Sequence, residues 1–414
     1  MMDIKIVCGA NYGDEGKGLV TNCLTDESKR TLNVLSCNSS QRGHTVVHNN
    51  IRHVFRHFGS GTLKGAHTLF TGNFIINPIM FREEYEKLQS VGITPIVFYD
   101  PYCCVVTPYD MLANQIIETS RGKNRHGSCG CGVYESIVRR DSQFSAGGYE
   151  GVFFAKRIDD ILADIEGYYK KKLVFPDYKL GEKQFDSFCT DTTRHKFYDD
   201  VIFFMTHATP LTFSEIQKLF GEYDLIIFEN SQGLMLSSGY GGDNEHTTPV
   251  DVGSLTPMSD ISLYADFDEI NSIEFIYVTR TYFTRHGAGP IGVLGGSECT
   301  KAAIHPWMED KTNGTNEWQG EFRYGIMSDK DIKCLVNRIT ADKRHSENYI
   351  KGNSNIDNIE INKTVVITHE NEYHNQALID ALTAAGFTVR LSYDERSIDS
   401  VGTTSGIWNY AIRW

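Results

Sequence analysis

Four glycines, two carboxylates and a lysine fall within thirteen residues near the start of the chain: CGANYGDEGKGLV, Cys8 to Val20. Glycines at 9, 13, 16 and 18 let backbone amides approach an anion closely. A helix opening after them adds its partial positive charge, so the segment reads as a phosphate cradle. Gly13, Glu15, Gly16, Lys17 and Gly18 are its candidate nucleotide contacts. Asp14 stands out among them, because a carboxylate beside phosphate oxygens needs a proton or a cation to handle. The segment departs from the Walker A pattern twice: Asn11 stands where the first glycine should be, and Gly18 follows the lysine where Ser or Thr would ligate magnesium. An ordinary P-loop GTPase is therefore not expected. The second titratable candidate is His44, directly after Gly43. A carboxylate at a phosphate loop and a histidine after a glycine turn are the two groups that a proton-coupled phosphoryl transfer requires.

These residues need a frame. Short apolar runs at Ile4–Cys8, Leu32–Ser36, Thr94–Tyr99, Leu225–Phe228, Glu274–Val278, Val365–Thr368 and Phe387–Leu391 read as buried strands. Helix signals lie between them: Pro78 opens a helical pattern that ends before Gly92, Phe213–Phe220 precedes Gly221, and Tyr373–Ala385 stops at Gly386. Alternating strands and helices imply βαβ crossovers. The expected fold is α/β, a single large domain over residues 1–414 with a mostly parallel central sheet flanked by helices, P-loop-NTPase-like. Lys-, Asp- and Tyr-rich stretches near 160–200 and 341–362 read as peripheral insertions that form a solvated face or an oligomer contact.

Composition limits the partners. With 40 basic and 53 acidic residues the formal charge is −13, which argues against tracking a nucleic-acid backbone. No apolar run approaches the roughly 20 residues needed to span a bilayer, so no membrane partner is expected. The N-terminus opens at once on a strand-like run, without a basic stretch leading into an apolar one. The expected address is cytoplasmic, the host cytoplasm if the source is viral. Ten scattered cysteines read as free thiols, and neither Cys103/Cys104 nor Cys129/Cys131 has the spacing of a zinc knuckle or a redox motif.

GDEGKG after an N-terminal strand resembles the adenylosuccinate synthetase family. Further segments follow in that family's order: NSSQRGHTVVH (38–48), HFGSG (57–61), TGNFIINP (71–78), HGSCGCGVYESIVRR (126–140), FENSQGLML (228–236), HTTP (246–249) and TYFTRHGAGP (281–290). Gly59 replaces a proline of the family pattern, and Ser128 and Cys129 replace threonines. Such enzymes join the amino group of L-aspartate to C6 of a 6-oxopurine nucleotide. O6 is a poor leaving group, so it is first phosphorylated by a nucleoside triphosphate. The resemblance implies that Asp14 removes the purine N1 proton and ligates Mg²⁺ together with the Gly43 carbonyl. It implies that His44 stabilises charge on the moving phosphoryl group. It places Gln41, Ser128, Cys129, Arg140, Gln232 and Thr247 around the purine monophosphate, with Arg140 reaching across the interface of a homodimer. Ordinary adenylosuccinate synthesis from IMP is one activity this implies; a nucleotide-binding pseudoenzyme on the same scaffold would keep the phosphate loop but lose the acid–base pair, which is present here.

Two segments depart from the common pattern. The region KTNGTNEWQGEFRYG (311–325) resembles the archaeal and bacteriophage branches, and its donors Asn313, Thr315, Asn316 and Arg323 are candidates for the two carboxylates of L-aspartate. After the late strand, Asn371 stands where family members that use GTP carry an aspartate for the guanine edge. An amide both donates and accepts, as an adenine edge requires, so ATP or dATP is expected as donor over GTP. Both departures resemble bacteriophage enzymes that join aspartate to dGMP, the expected acceptor, giving a precursor of diaminopurine DNA.

Overall fold

The computed structural model describes residues 1–143, 158–173, 179–237, 246–248, 250–293, 296–305, 318, 320–353, 356 and 358–393. Nine strands form its central sheet: β1 (Met2–Gly9), β2 (Thr31–Leu35), β3 (His67–Phe70), β4 (Val97–Tyr99), β5 (Thr209–Pro210), β6 (Leu225–Gly233), β7 (Ile270–Arg280), β8 (Glu360–Thr368) and β9 (Thr388–Leu391). Their order is β5-β4-β3-β2-β6-β1-β7-β8-β9, and every pairing is parallel. All seven anticipated strands are present. The sequence reading missed β3 and β5, four and two residues long, because runs that short show no periodicity and Pro210 argues against a strand.

The sheet is buried on both faces, as parallel sheets are. Along β1, Ile4, Ile6 and Cys8 point into the larger core, while Val7 points into a smaller one with Val20, Leu225, Ile227, Ile276, Val278 and Val366. Helix α1 (Lys17–Leu24) supplies Val20 to that second face. Local chemistry starts and stops the helices. Asn77 caps the helix Pro78–Ser90 by accepting from the Met80 amide, and a Thr212–Glu215 capping box opens Phe213–Phe220. The last helix begins at Gln376, not Tyr373, because the Asn375 side chain accepts from the Leu378 amide and sets the start there.

The two stretches expected as peripheral bury apolar side chains on their inner faces. Helices Ile158–Lys172, Lys179–Phe188 and Asp191–His207 contribute Ile161, Leu162, Ile165, Phe185, Val201 and Phe204 to a continuous core with Phe70, Phe81 and Tyr99. In the long helix Asp329–Asn353, Asp342 accepts from the Ser254 amide and the Tyr277 hydroxyl, and Ile350 is fully buried. Their charges mark only the outer faces of amphipathic helices, which composition alone cannot separate from a solvated insertion.

Parallel strands put all carboxyl ends on one side, so Gly9, Gly233, Arg280 and Thr368 end β1, β6, β7 and β8 near one another, where open α/β sheets hold their ligands. The rim is pinned by Asp260, buried on helix Leu255–Tyr264, which accepts from the Thr71 hydroxyl at 2.7 Å. Burial raises its pKa to about 7 against the hydrogen bonds from Thr71 and Asn73. A carboxyl raised on folding stabilises fully below its unfolded value near 4, and that contribution is lost as pH rises through 7. Thermal melts should therefore show wild-type stability falling between pH 5 and pH 8, and Asp260→Asn, which cannot ionise, should lose less over that range.

Candidate active site

The loop after β1 closes on its own carboxylate. Glu15 Oε1 accepts from the amides of Asn11 (2.9 Å) and Gly13 (2.8 Å), and Oε2 accepts from Lys17 Nζ at 3.0 Å. Lys17 Nζ also donates to the Gly13 carbonyl at 2.8 Å. Both side chains are buried. Burial by itself would raise the Glu15 carboxyl, but the Lys17 ammonium and the Gly13 amide outweigh it and hold the group below its usual range. Gly16, at φ 97°, turns the chain into α1, a left-handed conformation that glycine adopts without strain. The Thr368 hydroxyl fastens the loop from β8 by donating to the Glu15 carbonyl at 2.7 Å.

Asp14 is the exposed carboxylate of this loop. Its side chain is 22% exposed and lies 3.9 Å from His286 Nε2, and none of the hydrogen bonds among the described residues ends on its oxygens. Burial raises its pKa, and the nearby His286 and Arg280 partly offset that rise. Arg280, at the end of β7, donates through Nε to the Asp14 carbonyl at 2.5 Å, fixing the backbone beneath the carboxylate.

His44 begins a hairpin strand and meets the start of α1: a Cβ on Gly18 would stand 2.7 Å from His44 Cβ and 3.1 Å from Ser60 Oγ. Its Nδ1 lies 2.5 Å from Glu229 Oε1. Glu229 also receives the Ser60 amide at 2.8 Å and the Ser60 hydroxyl, and Arg42 Nη1 lies 3.6 Å away. Burial pushes against its charge, yet Arg42, His44 and Ser60 keep Glu229 well below the ordinary carboxylate range. An ionised Glu229 can only accept, so His44 carries its proton on Nδ1. Burial lowers the His44 pKa despite Glu229, which leaves Nε2 as a buried lone pair with no partner. In that state His44 takes a proton, and it becomes a donor toward phosphoryl oxygens only once protonated.

The other anticipated residues divide. Gln232, at the end of β6, lies against Gly13, and its Oε1 is buried without a partner. Gln41 is half-buried beside Arg42. Ser128 donates to Asn114 Oδ1 at 2.6 Å, and the adjoining Gly127 packs on Gly287, a Cβ there standing 2.4 Å from the Gly287 Cα. This brings the Ser128–Cys129 loop to the turn that carries His286. Thr247 is half-buried, next to the backbone bridge between Ser237 and Thr248. Of the two adjacent arginines, Arg139 is a core residue on Asp110 at 2.8 and 3.0 Å, while Arg140 is 40% exposed and, among the described residues, pairs with Asp141. Asn371 is exposed in the turn after β8. Asn313, Thr315 and Asn316 lie outside the described residues. Arg323 is already engaged: it donates to both oxygens of Glu298 and to two carbonyls. All ten cysteines are unpaired, and no helix among the described residues is long and apolar enough to cross a membrane.

Sequence reasoning missed Glu229, Ser60, Arg42, Arg280 and His286. Glu229 and Arg280 had an available signal, since polar residues ending apolar strands sit at the ligand-binding edge of such sheets. The others depend on long-range contacts.

A parallel α/β sheet with a glycine-rich loop at its carboxyl edge is the architecture in which such folds take nucleotides. Residues 6–302, more than half of the chain, match the family model for adenylosuccinate synthetase, and the chain belongs to that family. Adenylosuccinate synthetase of Pasteurella multocida (strain Pm70) is 28% identical over 291 residues, covering 69% of this chain and 63% of the relative. The match thus spans under two thirds of that relative's length. Two solved structures share the fold at 15% identity. Fully ligated adenylosuccinate synthetase from Plasmodium falciparum has a TM-score of 0.63, covering 89% of this chain and 77% of that one. Succinoaminodeoxyadenylate synthetase of cyanophage S-2L, bound to dGMP and to dATP as an energy donor, has a TM-score of 0.64, covering 97% and 96%.

The Glu229–His44 couple yields a prediction. Glu229→Gln removes the charge that supports an imidazolium, so turnover should fall by about 10²-fold. In a double-mutant cycle with His44→Asn the two losses should be far from additive. Full additivity would mean that Glu229 acts apart from His44.

Proposed function

We propose that this chain is a carbon–nitrogen ligase that joins L-aspartate to C6 of a 6-oxopurine nucleoside monophosphate. In the first step Asp14 takes the N1 proton, and O6 attacks the γ-phosphorus of a nucleoside triphosphate, releasing the diphosphate. In the second, the aspartate amine adds at C6 and phosphate leaves with O6. The observation that carries this reading is the presence, around the Lys17 loop and the start of α1, of an Asp14 carboxylate that accepts no hydrogen bond among the described residues and of a buried His44 Nε2 lone pair. Lys17 and the Gly13, Gly16 and Gly18 backbone would hold the donor phosphates once Glu15 yields its place on the ammonium.

Magnesium suits this donor set. Asp14 offers a free hard oxygen and Gly43 an exposed turn, and Mg²⁺ takes few protein ligands because phosphates and water complete its shell. Bound there, it would neutralise charge between phosphate oxygens. Ser128, Cys129, Gln41, Gln232 and Thr247 are assigned to the monophosphate. The outward Arg140 is assigned to the site of a second copy in a homodimer.

For the acceptor we favour dGMP, and for the donor ATP or dATP. The cyanophage synthetase, bound to dGMP and dATP, matches nearly the whole length of both chains. A guanine 2-amino group buried without a partner costs about 1 to 3 kcal/mol, and the Gln232 Oε1 lone pair can accept from it. Asn371, exposed at the end of β8, can both donate to and accept from an adenine edge. IMP remains the second reading, favoured by the sequence match to bacterial adenylosuccinate synthetases.

Turnover measured for dGMP, GMP, dIMP and IMP, each with ATP, dATP or GTP and saturating L-aspartate, should be highest in kcat/KM for dGMP with ATP or dATP. A clear preference for IMP would return the chain to ordinary adenylosuccinate synthesis, and phosphate release that ignores aspartate would remove the ligase reading. Asp14→Asn and His44→Asn should each cost roughly 10²-fold or more in kcat with the melting curve retained. Asn371→Asp should shift donor preference toward GTP, and an unchanged donor profile would take Asn371 out of base recognition.

A further inference from the structure

Arg323, assigned to a carboxylate of L-aspartate, already holds a carboxylate. Its Nε and Nη2 donate to Glu298 Oε1 and Oε2 at 2.9 and 2.7 Å, the planar fork by which an arginine takes a substrate carboxylate. Its Nη1 donates to the carbonyls of Gly287 and Gly289, both at 2.9 Å. The guanidinium is thus fixed to the turn that carries His286, itself 3.9 Å from Asp14. Only the Glu298 edge remains exchangeable. Glu298 lies on a two-residue strand (Glu298–Cys299) beside Arg323–Gly325, and its side chain is 47% exposed against 25% for Arg323. It can leave into water without crossing the core.

We propose that Glu298 is a built-in mimic of the amino-acid substrate: it occupies the carboxylate position on Arg323, keeps the fork aimed in the empty site, and must swing away before L-aspartate binds. Glu298 thereby sets the apparent affinity for aspartate. The inference rests on the assignment of Arg323 to aspartate in the proposed reaction. A substrate that binds only the open fraction of molecules has its dissociation constant multiplied by the inverse of that fraction. For a pair as exposed as this one the factor is about two to five. A pair that merely ties the two strands together would have no such effect, and its loss would leave aspartate affinity alone or weaken it.

The test uses the full chain at saturating purine monophosphate and triphosphate, with KM and kcat for L-aspartate measured alongside thermal melts. Glu298→Gln should lower KM for aspartate by about two- to five-fold, with the change carried by KM. Glu298→Asp, which keeps the charge on a shorter arm, should fall between it and the wild type. Arg323→Lys should raise KM by about tenfold or more, and adding Glu298→Gln to it should recover nothing. Unchanged or higher KM in both Glu298 variants, with Arg323→Lys still impaired, overturns the mimic and leaves the aspartate assignment standing. An Arg323→Lys enzyme with normal KM overturns both. Absence of aspartate-dependent turnover in the wild type removes the ligase reading itself.

Discussion

A single buried carboxylate, Glu15, sets the shape of the nucleotide loop. It receives two amides and the Lys17 ammonium from one side, while Thr368 of β8 holds its carbonyl from the other. Neighbouring glycines follow from its position. A Cβ on Gly9 would stand 2.5 Å from Glu15 Oε2, and one on Gly233 would stand 2.6 Å from Oε1 and 2.3 Å from the Asn11 carbonyl. The ends of β1, β6 and β8 are therefore brought together around one charge. Losing one partner of such a buried pair costs about 3–5 kcal/mol, because it leaves the other charge uncompensated.

The same device recurs at other basic groups. Arg42 and His44 converge on Glu229, and Arg323 on Glu298. In a chain with formal charge −13, these basic side chains are held in place by carboxylates, whereas Arg280 is held by the Asp14 carbonyl and the Tyr282 hydroxyl. Arg139 on Asp110 is the structural version of that pair, buried in a helix core away from the site. Arg140, one residue later, pairs with exposed Asp141 among the described residues.

The sheet was legible because buried parallel strands are continuous apolar runs, and Ile4–Cys8, Leu225–Phe228 and Val365–Thr368 are such runs. The phosphate loop was legible because glycines and charges at close spacing have few other uses. The inner faces of helices Ile158–Lys172 and Asp191–His207 were not legible because Lys and Asp on their outer faces dominate the composition, whereas Ile161, Ile165, Val201 and Phe204 are buried in the core. Glu229 was passed over because nothing local in FENSQG says that a histidine 185 residues away lies 2.5 Å from it. The present partners of Arg323 were not legible because they come from two other segments, Gly287–Gly289 and Glu298.

One of this loop's departures from Walker A spacing, the glycine after the lysine, follows from a steric fact. Where an ordinary P-loop carries Ser or Thr, the space around Gly18 is taken: a Cβ there would stand 2.7 Å from His44 Cβ and 3.1 Å from Ser60 Oγ. His44 cannot retreat, because Glu229 holds its Nδ1 and the Ser60 amide and hydroxyl hold Glu229. No side-chain oxygen can therefore rise from the first turn of α1 to meet a divalent cation. In the proposed reaction the oxygen would come from the loop instead: Asp14 has its carbonyl fixed by Arg280 and its carboxylate accepts no hydrogen bond among the described residues. A histidine against the helix start removes the hydroxyl that an ordinary P-loop uses, and the proposal gives its duty to a carboxylate that can also take a proton.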